Sequence, residues 1–352
     1  MRGTNRPLSV AVVGYGYWGP NLVRNFHENE HTKVTTICDV SEAGLAQARR
    51  RYPHMETTSD FDAVCEDAAV DLVVIATPIN SHFLLASRAL QSGKDVFVEK
   101  PLCTTLAEAT KLEKMALDHG CRVFVDHTYV YNPAVRCLRD VVAGGDFGRP
   151  LYYDSVRANL GLFQSDYNVL WDLAPHDLSI LDYALNGAVP KVVTCIGSAH
   201  YGDVENIAYL TLLYDGGFIA HCHLSWLAPV KMRQVVFAGS EKFVIYNDNE
   251  PIERLKIYDK GVSMTGISDG EKSKNRVQYR VGDVYSPFVS SDEALKIEVE
   301  HIVSCYRDGS APLTGIRSGV NMVRILEAAQ RSMREGGTPQ ELSLGEIAEV
   351  AS

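Results

Sequence analysis

A glycine-rich turn between a strand pattern and a helical pattern constrains this chain more than any other feature. Residues 8–13 have the pattern of a buried strand, which ends in G-x-G-x-x-G at Gly14, Gly16 and Gly19. A helical pattern follows, and a second strand pattern ends at Asp39, twenty residues after Gly19. This combination is typical of a dinucleotide-binding unit, in which a pyrophosphate lies at the helix N-terminus and the acid binds the ribose.

Each glycine of the motif has a predicted role. Gly14 allows the tight turn, Gly16 lets the backbone approach the pyrophosphate, and Gly19 lets the helix pack close to the strand. The carboxylate of Asp39 would repel the 2′-phosphate of NADP, so the sequence predicts NAD as the cofactor. The alternative is a glycine-rich turn without a ligand. The residues between the glycines are also predicted to border the cofactor: Tyr15, Tyr17 and Trp18.

Size and composition are those of a globular protein with two domains. The chain has 352 residues, of which 46% are hydrophobic and 22% are charged. Its 34 basic and 44 acidic residues give a net charge of −10, which argues against nucleic acid or an anionic membrane as a partner. The sequence lacks an apolar stretch of about 18 residues and a secretory signal, so a cytoplasmic location is predicted.

The cysteines and histidines do not predict a metal site. The eight cysteines form no C-x-x-C pair, and free thiols in a reducing compartment are expected. One cluster, His221-Cys222-His223, resembles a partial ligand set because its histidines would share one face of a strand. It has no further ligands at a recognisable spacing, so we interpret it as part of a sheet.

The first third of the chain alternates between strand and helix patterns. Such alternation predicts a doubly wound parallel sheet with helices on both faces, here an NAD-binding Rossmann domain over residues 1–127. The predicted strands are 8–13, 33–38, 72–76, 95–98 and 122–125, and the predicted helices are 18–29, 42–51, 61–66, 81–92 and 105–119.

The pattern changes near residue 127. Longer strand patterns joined by turns predict an α+β domain over residues 128–352, with a large, mostly antiparallel open sheet. Residues 247–290 are polar, and we interpret them as a long excursion or a mobile flap. The predicted strands are 151–158, 190–199, 206–214, 217–225 and 233–238, and the predicted helices are 133–143, 293–308 and 315–335.

Two loops follow strands of the predicted parallel sheet, at the edge where doubly wound sheets bind ligands. Both loops are predicted to border the cofactor, and Lys100 could also polarise a substrate oxygen. His82 could instead begin a helix without contacting a ligand. The first loop contains Thr77, Pro78, Asn80 and His82, and the second contains Glu99 and Lys100.

A third group of polar residues lies in the second half of the chain. Asp172 and His176 are four residues apart, so on a helix they would share one face. Histidine is the usual group for taking a proton near neutral pH, and a neighbouring carboxylate can orient it. A surface ion pair is the alternative interpretation.

These motifs, taken in chain order, resemble the glucose–fructose oxidoreductase, inositol dehydrogenase and MocA family over nearly the whole chain. The resemblance implies an NAD-dependent enzyme with a Rossmann domain followed by a domain with a large open sheet. It also implies a catalytic group of Lys100, Asp172 and His176, and a homodimer or homotetramer. The motifs that carry it are the glycine triplet, Ala76-Thr77-Pro78 with His82, Glu99-Lys100-Pro101, and Asp172 with His176.

Residues 159–164 and 171–176 look most like the branch of the family that oxidises C3 of a UDP-linked amino sugar, such as UDP-GlcNAc or its uronic acid. A dTDP-3-keto-sugar reductase and a dehydrogenase of myo-inositol or a free sugar stay open, as do an NAD-dependent glycoside hydrolase and a non-catalytic NAD-binding protein. Five polar residues are predicted to contact the substrate: Arg157, Asn159, Gln164, Lys231 and Arg233. Alternatively, these side chains hydrogen-bond to strand and loop backbone or lie at a solvated edge of the sheet.

Overall fold

The computed structural model describes residues 6–161, 163–164, 166–265 and 276–342. The chain divides into two compact units, neither of which is continuous in sequence. The first comprises the chain up to Asn132 together with Asp292–Glu327, and the second comprises Pro133–Ser291 and the chain from Ala328. The predicted division into 1–127 and 128–352 differs from this, because it assigned residues 292–327 to the second domain. Residues 343–352 lie outside the described part.

The first unit contains a parallel sheet with strand order β3-β2-β1-β4-β5-β6. This is the predicted doubly wound Rossmann sheet, with an additional short strand, β3, whose polar sequence gave no strand signal. Its strands are β1 (Leu8–Val13), β2 (Thr32–Cys38), β3 (Glu56–Thr58), β4 (Leu72–Ile75), β5 (Asp95–Glu99) and β6 (Val123–Asp126). Its helices between strands are α1 (Gly19–Glu28), α2 (Glu42–Arg51), α3 (Phe61–Glu66), α4 (Ile79–Gln91) and α5 (Leu106–His119).

The second unit contains a mostly antiparallel sheet with order β14-β13-β12-β11-β7-β10-β9-β8-β15, in which β7 and β10 are parallel. The predicted open sheet is therefore confirmed. Its helices are α6 (Pro133–Ala143) and α7 (Val169–Ala184). Its strands are β7 (Pro150–Leu160), β8 (Val192–Ser198), β9 (Ile207–Leu213), β10 (Ile219–Ser225), β11 (Leu227–Gly239), β12 (Phe243–Asn247), β13 (Leu255–Thr265), β14 (Arg276–Tyr285) and β15 (Gln340–Glu341).

The interpretation of residues 247–290 as an excursion or mobile flap is wrong for most of that segment. β13 and β14 pair as antiparallel strands and extend the sheet beyond β12. The two strands lack a continuous apolar run because they lie at one end of the sheet. Tyr279, Arg280 and Val281 of β14 are all exposed, so both faces of this strand are open to solvent. Residues 266–275 of this segment lie outside the described part of the chain.

Two long helices follow β14: α8 (Ala294–Asp308) and α9 (Ile316–Arg334). Leu295, Val299 and Ile302 of α8 are buried in the same apolar core as Phe97 and Phe124. Between the helices, the backbone N–H of Val125 donates to the carbonyl oxygen of Thr314 at 2.8 Å. The segment thus belongs to the Rossmann unit because it covers apolar surface of that sheet and bonds to its β6 edge.

All eight cysteines are free, as predicted. Within the described residues, no helix is long and apolar enough to cross a membrane.

Candidate active site

The glycine-rich loop between β1 and α1 has the backbone that its motif predicts. Gly14 has a φ of +96°, and a Cβ there would lie 2.6 Å from the carbonyl oxygen of Ala76. A Cβ on Gly19 would collide with the carbonyl oxygen of Gly14. Around Gly16, by contrast, no described atom beyond its chain neighbours lies within 4 Å of the Cβ position. The backbone at Gly16 is therefore open to a ligand, as a pyrophosphate-binding loop requires.

Asp39, directly after β2, is bonded to this loop. Its Oδ2 accepts a hydrogen bond from the backbone N–H of Tyr15 at 2.5 Å, and its Oδ1 accepts one from the N–H of Ser41 at 2.7 Å. Each carboxylate oxygen can accept a further bond, so the ribose hydroxyls of NAD have acceptors here. The loop and the acid together fit an NAD cofactor.

The N-terminus of α1 is suited to the anionic part of that cofactor. Its first turn has no acidic residue, and no described side chain caps it, so its N–H groups and dipole favour a phosphate. The side chains predicted to border the cofactor lie in different surroundings. Tyr15 is buried in the core, Tyr17 is 92% exposed, and Trp18 donates from Nε1 to Asp126 Oδ2 at 3.1 Å. Tyr15 therefore borders the loop through its backbone, and its ring belongs to the core.

His82 connects the loops that follow β4 and β5. The ring is 1% exposed, with Nε2 2.7 Å from the carbonyl oxygen of Thr77 and Nδ1 2.9 Å from that of Pro101. Burial lowers the pKa of this imidazole, although its two backbone partners act in the opposite direction. Because both ring nitrogens lie against backbone carbonyl oxygens, the geometry favours the alternative interpretation, in which His82 lies at the start of α4 without contacting a ligand. The predicted contacts Pro78 and Asn80 are exposed at the start of α4, whereas the methyl group of Thr77 faces Gly14.

Lys100 lies directly after β5, at the carboxyl edge of the parallel sheet. The side chain is half-buried, and the peptide bond to Pro101 is cis. The preceding carboxyl, on Glu99, is buried, and its burial and the neighbouring Asp126 raise its pKa well above the usual range. Lys100 acts in the opposite direction on that pKa. Among the described residues, Oε1 of this carboxyl is buried without a hydrogen-bond partner, and the contact of Glu99 with the cofactor stays a prediction.

Helix α7 carries Asp172 and His176 one turn apart, as their spacing predicts. The side chain of Asn168 caps the helix by accepting from the N–H of Trp171. Asp172 lies in the first turn, where the helix dipole favours a carboxylate. Its Oδ2 accepts a hydrogen bond from Trp226 Nε1 at 3.0 Å. This bond fixes the orientation of Asp172 from a residue that the sequence interpretation missed.

Trp226 packs against Phe163, which lines a cavity. The ring centroids of Trp226 and Phe163 are 5.6 Å apart, and Phe163 in turn packs edge-on against Tyr201. The cavity has a volume of about 840 Å³, and its apolar and aromatic walls suit a small organic ligand. It is lined by Leu160, Phe163, His200, Tyr201 and Leu227.

Arg157 is not the substrate contact that its sequence position predicts. It is 3% exposed on β7, and its Nε and Nη2 donate to the two carboxylate oxygens of Asp177, both at 2.9 Å. This bidentate ion pair occupies the donors that a phosphate would need. The prediction was wrong because the partner, five residues after Asp172 on α7, is brought to Arg157 only by the fold.

The other predicted substrate contacts lie on β7, on β11 and in the loop before α7. Asn159 is half-buried near the end of β7, and Gln164 is half-buried in the loop. Lys231 is exposed on β11. Arg233 is two residues further on, with its Nη1 3.4 Å from Asp248 Oδ2. Lys231 thus presents its charge to solvent, whereas part of the charge of Arg233 is balanced.

His221 and His223 lie on β10, which agrees with their interpretation as part of a sheet. Their rings stack against Tyr209, with centroid distances of 6.2 Å and 4.8 Å. No group of three or more potential metal ligands is present among the described residues.

Two models of one family match this chain. The model described as "Oxidoreductase family, NAD-binding Rossmann fold" matches residues 8–127. The model described as "GFO/IDH/MocA C-terminal domain" matches residues 135–245. Together they match part of each unit and include each candidate catalytic residue.

Proteins similar to this chain act on different compounds. A scyllo-inositol 2-dehydrogenase (NAD+) of Bacillus subtilis is 25% identical, over 94% of this chain and 93% of its own length. A UDP-N-acetylglucosamine 3-dehydrogenase of Acidithiobacillus ferrooxidans is 28% identical, over 72% of this chain and 78% of its own. An inositol dehydrogenase homologue from Azotobacter vinelandii, solved with NADH and myo-inositol, has a TM-score of 0.78, 19% identity, and coverage of 96% and 98%. At 19% identity, the similarity to the Azotobacter vinelandii structure concerns the fold alone.

Proposed function

This chain belongs to the GFO/IDH/MocA family of oxidoreductases, and on that premise we propose that it oxidises a hydroxyl group of a sugar or cyclitol to a ketone, with NAD⁺ as the acceptor. The observation that carries the proposal is the Asp172–His176 pair on α7, with its carboxylate oriented by Trp226. A protein that only binds NAD has no need of such a pair in addition to its nucleotide loop.

The cofactor is held by residues of the first unit. The backbone at Gly14, Gly16 and Gly19 and the N-terminus of α1 accommodate its pyrophosphate, and Asp39 accepts from its ribose. When bound, NAD⁺ supplies the acceptor for a hydride.

The side chains of this protein handle the proton and the developing charge. His176 removes the proton of the substrate hydroxyl as a general base. Asp172 orients His176 and balances the charge that the imidazole acquires. The ammonium group of Lys100 donates a hydrogen bond to the substrate oxygen, which stabilises its alkoxide character in the transition state.

We further propose a nucleotide-linked amino sugar, oxidised at C3, as the substrate. Three observations support this proposal: the relative that acts on UDP-N-acetylglucosamine, the cavity with aromatic walls next to Trp226, and the exposed charge of Lys231. A diphosphate needs cations or N–H donors in a protein whose net charge is −10, and Lys231 offers an exposed cation. Because Arg157 is committed to Asp177, Lys231 replaces it as the first candidate for this contact.

A free cyclitol is the second candidate substrate. The scyllo-inositol dehydrogenase of Bacillus subtilis aligns with almost the whole chain, and such a substrate requires no phosphate contact.

NADH formation with UDP-sugars, dTDP-sugars and cyclitols tests the proposal and separates its two forms. We expect the highest kcat/KM with a UDP-amino sugar, and competitive inhibition by UDP alone. Lys231→Ala should raise KM at least fivefold with little change in kcat, because the contact is remote from the reacting carbon. Lys191→Ala, which changes another exposed lysine of this unit, is the control. If free inositol is turned over as efficiently as any nucleotide sugar or better, a nucleotide sugar is not the substrate. If none of the tested hydroxyl compounds gives NADH, the proposed dehydrogenase activity is wrong.

A further inference from the structure

Three carboxyl groups converge at the carboxyl edge of the parallel sheet. Glu99 and Asp126 are register partners at the ends of β5 and β6. Glu298 lies on the buried face of α8, between Leu295 and Ile302, and is 0% exposed. Its carboxyl interacts with those of Asp126 and Glu99. A charged glutamate in such an apolar stripe would be very unfavourable, so this position needs a specific explanation.

The hydrogen-bond donors are distributed unequally among the three groups. Asp126 accepts from Trp18 Nε1 and from the backbone N–H of Thr128, both at 3.1 Å, and also from the hydroxyl of Thr128. Glu298, by contrast, has no hydrogen-bond donor to either oxygen among the described residues, and its carboxyl interacts with that of Asp126. Because Asp126 has these donors and Glu298 has none, the hydrogen-bond geometry makes Asp126 the acceptor and Glu298 the donor of this pair.

Burial, and after it the neighbouring carboxyl groups, disfavours a negative charge on Glu298. Burial and the neighbouring Asp126 and Glu99 raise the pKa of Glu298 well above the usual range. The other titratable groups at the cluster are Lys100 and His127. The ammonium of Lys100 acts on Glu99, and burial lowers the pKa of His127 to about 4, so that ring is neutral at physiological pH. With one carboxylate beside the ammonium of Lys100, the net charge of this buried cluster is close to zero. With two or three carboxylates it would be negative.

We propose that Glu298 is a positioning residue of the candidate active site: as an uncharged acid it donates a hydrogen bond to Asp126, and Asp126 in turn holds Trp18 of the nucleotide loop. Trp18 immediately precedes α1, whose N-terminus is expected to bind the cofactor phosphates. Removal of the Glu298 donor should therefore be measurable as weaker NAD⁺ binding. Its effect on turnover rests on the proposed function, whereas its effect on binding does not.

Two substitutions separate the proton of Glu298 from its charge. Glu298→Gln keeps the shape and a donor, so NAD⁺ affinity by calorimetry should stay within about twofold of the unchanged protein. Glu298→Met fills the space without a donor and should weaken NAD⁺ binding roughly tenfold, as expected for a lost hydrogen bond to a charged acceptor. Glu300→Gln, at an exposed position of the same helix, is the control and should have no effect.

Each other outcome overturns the proposal. If Glu298→Gln binds NAD⁺ as weakly as Glu298→Met does, the carboxyl of Glu298 acts through a negative charge or by releasing its proton, and not as a hydrogen-bond donor. If Glu298→Met binds NAD⁺ with unchanged affinity, the hydrogen bond from Glu298 to Asp126 does not position the nucleotide loop. Infrared difference spectra between the unchanged protein and Glu298→Gln decide the protonation state even if the Met variant does not fold. The substitution should remove a carbonyl band of a protonated acid, and loss of a carboxylate band instead refutes the proposal. Both measurements remain decisive if no dehydrogenase substrate is found.

Discussion

Trp226 gives the sharpest test of how the catalytic pair is oriented. Its Nε1 lies 3.0 Å from Asp172 Oδ2, and its side chain is 1% exposed. Trp226→Phe retains an aromatic ring in the core and removes this single N–H donor. We expect a lower kcat with little change in NAD⁺ affinity, because the nucleotide loop belongs to the other unit of the chain.

The size of this effect follows from the type of bond. A hydrogen bond to a charged acceptor contributes about 1.5–3 kcal/mol. If that stabilisation is needed to hold Asp172 against the imidazolium of His176 in the transition state, kcat should fall roughly ten- to hundredfold. Steady-state kinetics of NADH formation, together with calorimetry of NAD⁺ binding, separate this loss from a loss of cofactor.

A matched variant controls for the smaller ring. Trp171→Phe removes the donor from Trp171 Nε1 to Gln330 Oε1, a bond of 3.2 Å between neutral groups that does not involve Asp172. It should change kcat less than about threefold. In an Asp172→Asn background, Trp226→Phe should have a much smaller effect than it has alone, because the two residues act as one unit. Independent, additive effects would refute the positioning role.

Three further outcomes follow from other contacts. Arg157→Ala should lower the free energy of unfolding by about 3–5 kcal/mol, since it leaves the buried Asp177 without its partner. If KM rises while the free energy of unfolding is unchanged, Arg157 contacts the substrate after all. Burial lowers the pKa of His127 from 6.5 to about 4, so the folded form loses stability as the pH falls from 6.5 towards 4, by about 3 kcal/mol. Chemical denaturation of His127→Phe across this range should show a shallower decline. Asp39→Ala should narrow the preference for NAD⁺ over NADP⁺ in binding titrations, and tighter binding of NADP⁺ by the unchanged protein would contradict the role given to Asp39.

The Rossmann sheet was predictable because its signals are local. A strand buried on both faces reads as a continuous apolar run, and the glycines of the nucleotide loop are fixed by the backbone contacts of Gly14 and Gly19. The spacing of Asp172 and His176 likewise needs only the period of a helix. These features do not depend on which distant segment packs against them.

The missed features depend on distant partners. Whether Arg157 faces a substrate or an ion pair is decided by Asp177, which only the packing of α7 against β7 brings close. Strands β13 and β14 lack a continuous apolar run because they lie at one end of their sheet. Glu298 did leave a local signal, a glutamate at a position where the helix period expects an apolar residue, and such conflicts often mark a functional site.

The discontinuity of the Rossmann unit has a consequence for the order in which the protein is made. A nascent chain that has reached Asn132 already contains every strand of the parallel sheet, yet it lacks the α8 side chains that cover Phe97 and Phe124. It also lacks Thr314, which pairs with the β6 edge at Val125. The first unit to be synthesised is therefore completed only after the ribosome has also made most of the second. Until then its apolar surface and open strand edge are exposed to other chains.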